Sequence, residues 1–161
     1  MISNSVNEKM ISFKELEKKI FKYVCELGCE ITRSILEAYD DAVAVKRDKQ
    51  KYRNKGKRAT CIKTVYGSVK YQRRIYGTIT ENGEKAYVYL LDAEMRMDKI
   101  GMISSNLAEK IAMTVTESPY RVTAETISST SGQSISASGV WNVMQRLGEK
   151  ISEEEKYAVK Q

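Results

Sequence analysis

Apolar residues at Phe13, Leu16, Ile20, Val24, Leu27, Ile31, Ile35 and Ala38 recur at steps of 3, 4, 4, 3, 4, 4 and 3, the stripe of an amphipathic helix. Ser12 followed by Glu15 has the form of a capping box at its start. The steps average about 3.6 residues, the period of a straight helix and not the 3.5 of a left-handed coiled coil. The stripe is therefore expected to be buried against the rest of the chain or a partner. The predicted element covers 12–45 and spans roughly 50 Å at about 1.5 Å per residue. Gly28 lies inside it, costs about 1 kcal/mol relative to Ala, and marks a place where the helix can break.

Residues 46–58 have no apolar periodicity and contain Asn54 and Gly56, which predicts a basic linker. From residue 59 the period becomes two. Gly67-Ser68 and Asn82-Gly83 suit two-residue hairpin turns, so 59–92 reads as a three-stranded antiparallel meander. These turns set Tyr66 opposite Val69, Ile62 opposite Arg73 and Ile79 opposite Ala86. Alternation then gives a packing face with Ile62, Tyr66, Val69, Tyr71, Ile75, Ile79, Ala86, Val88 and Leu90, on which Arg73 is the one charge. The other face mixes cations with tyrosines: Lys63, Lys70, Arg74, Tyr76, Lys85, Tyr87 and Tyr89.

Three short helical patterns follow over 104–152. Leu107, Ile111 and Val115 line the first, opened by Ser104 or Ser105. Tyr120, Ala124 and Ile127 line the second, after Ser118-Pro119. Val140, Met144, Leu147 and Ile151 line the third, after Ser136 or Ser138. Their succession suggests a helix-turn-helix-like segment, with a connection from Ser128 to Ile135 longer than the usual tight turn. Ser138, Asn142, Gln145 and Arg146 fall on the outward side of the last helix, where such side chains can bond base edges. Residues 153–161 form a tail. The predicted fold class is α+β.

The charge pattern changes this picture. Overall the 161 residues carry +6. Lys46 to Tyr76 holds twelve basic residues and one acid, Asp48, a net +11; the other 130 hold fifteen basic and twenty acidic residues, a net −5. Cations crowded this densely repel one another unless a polyanion neutralises them.

Catalytic chemistry is sparse. There is no His, which removes the commonest general base and the usual partner of a Ser or Cys nucleophile. Cys25 and Cys29 share a helix face, but with Cys61 they make only three soft ligands, too few for a tetrahedral zinc site. Asp40, Asp41, Asp92, Glu94 and Asp98 offer oxygen ligands for a hard cation without an evident scaffold to gather them. No glycine-rich phosphate loop occurs. Neither a cofactor nor a metal is expected. No apolar run is long enough to span a bilayer and the first residues lack the form of a signal peptide, so a cytoplasmic, nucleoid-associated protein with reduced thiols is expected.

The order of these features resembles the amino-terminal part of the ISLre-type bacterial insertion-sequence transposases. The resemblance is carried by FKELEKKIFKYVCELGCEITRSILE, KYRNKGKRATCIKTVYGSVKYQRRIY, YVYLLD, and the stretch from SPYRVTAETI to GEKI with its GQSIS-x-x-GVWN core, covering residues 13 to about 151. It implies that a metal-dependent acidic-triad catalytic domain lies downstream of this region, so the 161 residues are expected to be truncated before it and not to be an enzyme by themselves. On this reading the chain grips the ends of the mobile element as duplex DNA. Lys51, Arg53, Lys55, Lys57, Arg58, Lys63, Lys70, Arg73 and Arg74 would neutralise phosphates, while Asn142, Gln145 and Arg146 would read bases. Two other readings stay open: a self-association module forming a homodimer or pairing with intact transposase, and RNA binding by the tyrosine and lysine sheet face.

Overall fold

The computed structural model describes residues 11–97 and 99–158. In chain order the elements are α1 (Phe13–Lys46), β1 (Arg53–Thr64), β2 (Gly67–Ile79), β3 (Lys85–Val88), α2 (Leu90–Glu94), β4 (Lys99–Ile100), β5 (Ile103–Ser104), α3 (Ser105–Val115), α4 (Tyr120–Thr130) and α5 (Ala137–Ala158). They make an α+β fold around a five-stranded sheet in the order β3-β2-β1-β5-β4. The pair β1–β5, formed at Lys63 and Ile103, is parallel; the other pairs are antiparallel.

α1 begins as its capping box requires. The Glu15 backbone N–H donates to Ser12 Oγ (3.3 Å) and the Ser12 N–H donates to Glu15 Oε2 (3.0 Å). The helix runs unbroken through Gly28. The face it turns to the body is the opposite of the one its apolar spacing selects: Cys25, Leu36 and Asp40 are buried, while every member of the stripe from Phe13 to Ala38 is exposed. The reason lies in β2. Between Gly67 and Ile75 that strand has β1 on one side and no strand on the other, because β3 pairs only from Tyr76 onward. An open strand edge leaves backbone donors that need acceptors. Glu37 and Asp40 of α1 supply them, taking the N–H groups of Gln72 (3.0 Å) and Arg74 (2.9 Å). Small residues permit the close approach. Cys29 Sγ–H donates to the Tyr66 carbonyl at 3.7 Å, and Thr32 Oγ1 lies 2.6 Å from Tyr66 Oη.

The first hairpin turns at Val65-Tyr66, not Gly67-Ser68, with Thr64 opposite Gly67, Ile62 opposite Val69 and Arg58 opposite Arg73. This displacement is an even number of residues, so the faces survive: Ile62, Val69, Tyr71 and Arg73 are buried as the alternation requires. The turn is drawn toward residue 65 by what sits on it. Thr64 Oγ1 donates to the Gly67 carbonyl (2.8 Å), and the Gly132 N–H donates to the Val65 carbonyl (2.9 Å).

The second hairpin differs by an odd step. Thr80 and Glu84 close a three-residue loop with an N–H···O bond of 2.9 Å, where a two-residue Asn82-Gly83 turn was expected. Tyr76 therefore pairs with Val88 and Ile79 with Lys85. A slip of one residue changes which side chains of β3 share a face with those of β2. On β2 itself Ile79 is exposed and Tyr76 fully buried, the reverse of the expected assignment; Arg47, just past the end of α1, stands 5.3 Å from the Tyr76 ring and covers it. The expected strand end at Leu90–Asp92 is instead the start of α2.

The supposed linker 46–58 is mostly ordered. α1 ends at Lys46 and β1 begins at Arg53, so the connection is 47–52. A bulge at Lys55-Gly56 sets two residues of β1 against Ile75, with Gly56 at φ +95°, a backbone geometry that glycine enters without steric cost.

Two buried clusters hold the chain together. Leu36, Ile62, Val69, Tyr71 and Leu91 pack between α1, the β1–β2 hairpin and α2. Ile100, Leu107, Ala108, Ile111, Ala124, Ile127, Val140 and Val143 pack under α3, α4 and α5. The helices lie close to their expected starts: Ser104 Oγ accepts from the Leu107 N–H (3.3 Å) and Ser136 Oγ accepts from the Gly139 N–H (3.1 Å). On α5 the expected inner residue Ile151 is exposed and Val143 takes a core place. α5 continues through the expected tail to Ala158; residues 159–161 lie outside the described residues.

Candidate nucleic-acid interface

The nine basic residues expected to meet phosphate divide into two groups. Arg73 and Arg74 are spent inside the fold. Arg73 is buried on the packing face, pairs with Asp92, and lies over the Tyr89 ring with its guanidinium 3.7 Å from the centroid. Lys99 approaches the same Asp92 at 3.6 Å; desolvation, and secondarily the charge of Arg73, push its ammonium below the ordinary lysine value. Arg74 Nη1 reaches Asp40 Oδ2 and Asp41 Oδ1, each at 2.6 Å. Lys57 stands 3.7 Å from Asp41 as well. The hydrogen bond from Arg74 and then the charge of Lys57 hold the Asp41 carboxyl below its ordinary range.

The second group faces solvent. Lys51, Arg53, Lys55, Arg58 and Lys70 are exposed, and Lys63 is half-buried near the β5 junction. Lys51, Arg53 and Lys55 line a cleft of about 350 Å³ together with Gln50, Gly77, Thr78, Ile79, Lys85, Ala86 and Tyr87. Four cations and no carboxylate line it. The cleft exists because three local events coincide. The bulge at Lys55-Gly56 opens β1 away from β2, the stem of Lys55 crosses Gly77 (Cε would lie 3.1 Å from a Cβ there), and the three-residue loop turns Lys85 and Tyr87 toward the same end of the sheet. Thr78 Oγ1 is buried and has no hydrogen-bond partner. Lys85 was not among the expected phosphate contacts. The alternation did place it on the face that mixes cations with tyrosines.

Only part of the expected aromatic surface remains outside. Tyr76 is fully buried, its Oη lacks a partner, and Arg47 stands 5.3 Å from its ring centroid. Tyr89 is covered by Arg73. Tyr87 is exposed and borders the cleft.

Asn142, Gln145 and Arg146 are all exposed on α5. Arg146 folds its guanidinium over Gly101 in the β4–β5 turn. Gln145 borders a shallow groove shared with Glu149, Glu153 and Lys156. The structure does not gather these three residues with the cleft cations. The connection 131–136 before α5 docks on the Val65-Tyr66 turn, through Gly132 N–H to Val65 O (2.9 Å) and Ser68 Oγ to Gln133 Oε1 (2.8 Å). Arg53 is at the other end of β1, about 36 Å away at ~3.3 Å per residue.

The carboxylates weighed for a hard cation are engaged elsewhere. Asp40 and Asp41 take Arg74, and Asp92 takes Arg73 and Lys99; Asp98 lies outside the described residues. No group of three His, Cys, Asp or Glu suited to a metal occurs among the described residues. All three cysteines are free thiols, and burial followed by the neighbouring Cys25 and Cys61 raises the Cys29 thiol. No helix among the described residues is long and apolar enough to cross a membrane.

Residues 6–161 match the model of an uncharacterised protein family, UPF0236, and the chain belongs to that family. No curated protein and no solved structure matches it.

Proposed function

We propose that this member of the family is the DNA-binding amino-terminal module of an insertion-sequence transposase, which holds the ends of the element as duplex DNA and performs no strand transfer by itself. The observation that carries the reading is the cleft at the bulged end of β1, where Lys51, Arg53, Lys55 and Lys85 converge without a carboxylate. Cations of a folded protein are normally interspersed with acids. This chain follows that rule at Arg73 and Arg74 and departs from it at the cleft. The sequence resemblance to ISLre-type transposases supplies the choice of DNA as polyanion.

Phosphate contacts position a protein on a duplex and base contacts specify the site. The cleft serves the first task. α4 and α5, read as a helix-turn-helix-like pair with a six-residue connection at 131–136, serve the second through Asn142, Gln145 and Arg146. The RNA alternative loses support from the burial of Tyr76 and the covering of Tyr89, which leave Tyr87 as the stacking side chain beside the cleft.

The test is a binding titration with duplex DNA carrying the element ends over a range of salt. With about six phosphates contacted, log affinity should fall against log salt with a slope near −5. A slope near zero overturns the reading. Displacement of the duplex by equimolar single-stranded RNA would shift the assignment to RNA.

A further inference from the structure

The least expected feature of the fold is the unpartnered apolar stripe of α1. Phe13, Leu16, Ile20, Val24, Leu27, Ile31 and Ile35 are each between 40% and 78% exposed. The residues that α1 gives to the body, such as Cys25, Cys29, Leu36 and Asp40, lie roughly half a turn away around a 3.6-residue helix. Moreover, every residue from Ile11 to Val24 is exposed, so the first three turns project from the body. Isolated helical segments of that length are marginal in water, and exposed apolar patches of several hundred Å² mark interaction sites.

The spacing of the stripe identifies what covers it. The steps 3, 4, 4, 3, 4, 4, 3 read the same in both directions. Turned end for end about a point between Cys25 and Glu26, the stripe superimposes on itself: Phe13 meets Ala38, Leu16 meets Ile35, Ile20 meets Ile31, and Val24 meets Leu27. That is the condition for an isologous two-fold contact, in which residue i meets j and j meets i. The average period of about 3.6 keeps the seam in line along a straight helix.

Charge selects the same direction. Residues 13–25 carry four Lys and two Glu, net +2; residues 26–38 carry one Arg and three Glu, net −2. Antiparallel pairing sets the basic half of each helix on the acidic half of the other, whereas parallel pairing sets like on like. It also lays the projecting turns of one copy on the body-anchored half of its partner.

We propose that α1 is an antiparallel homodimerisation helix, centred between Cys25 and Glu26, whose occupant is the same stripe of a second copy. The stripe measures on the order of 400 Å² per copy, taking about 1.5 Å of rise per residue and a helix width of ~10 Å. Flanked by the exposed Phe21 and Tyr23, two such stripes approach the ~1,200 Å² total at the lower end of stable interfaces. The inference does not depend on DNA binding.

Sedimentation of the full chain, Ile20→Glu and Ile31→Lys, alone and mixed, tests it. The unsubstituted chain should show a concentration-dependent species of twice its 18.3 kDa mass. Each substitution should raise the dissociation constant at least about 100-fold, because a charge is placed in an apolar seam. An equimolar mixture of the two should recover to within about 10-fold, since the carboxylate introduced in one chain then meets the ammonium introduced in the other as an ion pair. Both sites are about half exposed in the single chain, so a cooperative urea transition should persist in each variant. A single-chain mass at about 100 µM, a concentration at which mass action reveals even weak dimers, overturns the proposal. So does either variant dimerising as the unsubstituted chain does, or a mixture no tighter than its components, which is the outcome of parallel pairing.

Discussion

Arg74 and Asp40 are joined twice. The backbone N–H of Arg74 donates to Asp40 Oδ1 at 2.9 Å and its Nη1 donates to Oδ2 at 2.6 Å, with Asp40 only 1% exposed. One carboxylate thereby closes an open strand edge and neutralises a cation, and the helix that carries it is fastened to the sheet. Removing one partner of a buried pair leaves the other uncompensated and costs roughly 3–5 kcal/mol. Asp40→Ala should fall near the lower figure of about 3 kcal/mol, because Arg74 keeps Asp41. Asp40→Asn, which retains an acceptor, should lose about half as much. Urea unfolding at one fixed protein concentration measures both; a loss under ~0.5 kcal/mol for Asp40→Ala would refute this role, being the range of ordinary surface changes.

Acid should weaken the same corner. The Asp41 carboxyl is held below its ordinary 3.8 by the hydrogen bond from Arg74 and the charge of Lys57. A carboxyl lowered in the folded state binds fewer protons there than when unfolded, so its contribution is present above about pH 3.8 and is lost as pH falls through the folded value. The urea midpoint should therefore drop below pH 4, and Asp41→Asn should flatten part of that drop while leaving the pH 5 to 8 plateau shape unchanged. An equal acid slope in the variant would contradict the assignment.

At the β1–β2 turn, Gly132 lets the connection before α5 sit on the Val65-Tyr66 peptide. A Cβ there would collide with the Tyr66 carbonyl and lie 2.9 Å from Cys25 Sγ. Backbone cannot retreat as a side-chain end can, so Gly132→Ala should destabilise by about 2–3 kcal/mol through overpacking. Gly148→Ala, with open space around it, should be neutral or slightly stabilising, since Ala favours a helix interior. Thermal unfolding of the two variants side by side distinguishes a specific collision from a general intolerance of alanine.

Cations of the cleft and cations of the fold should separate in experiment. If duplex DNA binds at the cleft, Lys55→Ala and Lys85→Ala should each reduce the salt slope by about 1 and weaken all sequences alike, with unfolding unchanged. Arg73→Ala should do the reverse, unfolding more readily while the slope is retained, because its partners are Asp92 and Tyr89. Gln145→Ala should leave the slope intact and narrow the preference between element ends and unrelated duplex. Salt titrations of the four variants decide among these patterns.

How much of this was open to inspection in the residue order depends on the range of the interaction involved. The capping box at Ser12 and Glu15, the caps at Ser104 and Ser136, and the alternation of Val69, Tyr71 and Arg73 involve neighbours a few residues apart, and each appears where its local chemistry places it. The two hairpin turns were only approximately legible. The first moved because Gly132, distant in sequence, bonds to Val65, and the second because a three-residue loop competes closely with a two-residue one. The free cleft cations could be recognised as basic, but not told apart from Arg73 and Arg74, whose carboxylate partners lie 19 to 34 residues away.

The face that α1 gives to the sheet was decided by tertiary structure alone. Hydrophobic spacing tells which positions share a side of a helix, and it did so from Phe13 to Ala38. It does not tell which side the rest of the chain takes. The sheet took the side bearing Gly28, Cys29, Thr32, Glu37 and Asp40 because an open strand edge needs small residues for approach and carboxylates for its N–H groups. Those acceptor requirements arise only once β2 exists with β1 on one side and nothing on the other, and they leave the apolar side of the helix facing outward.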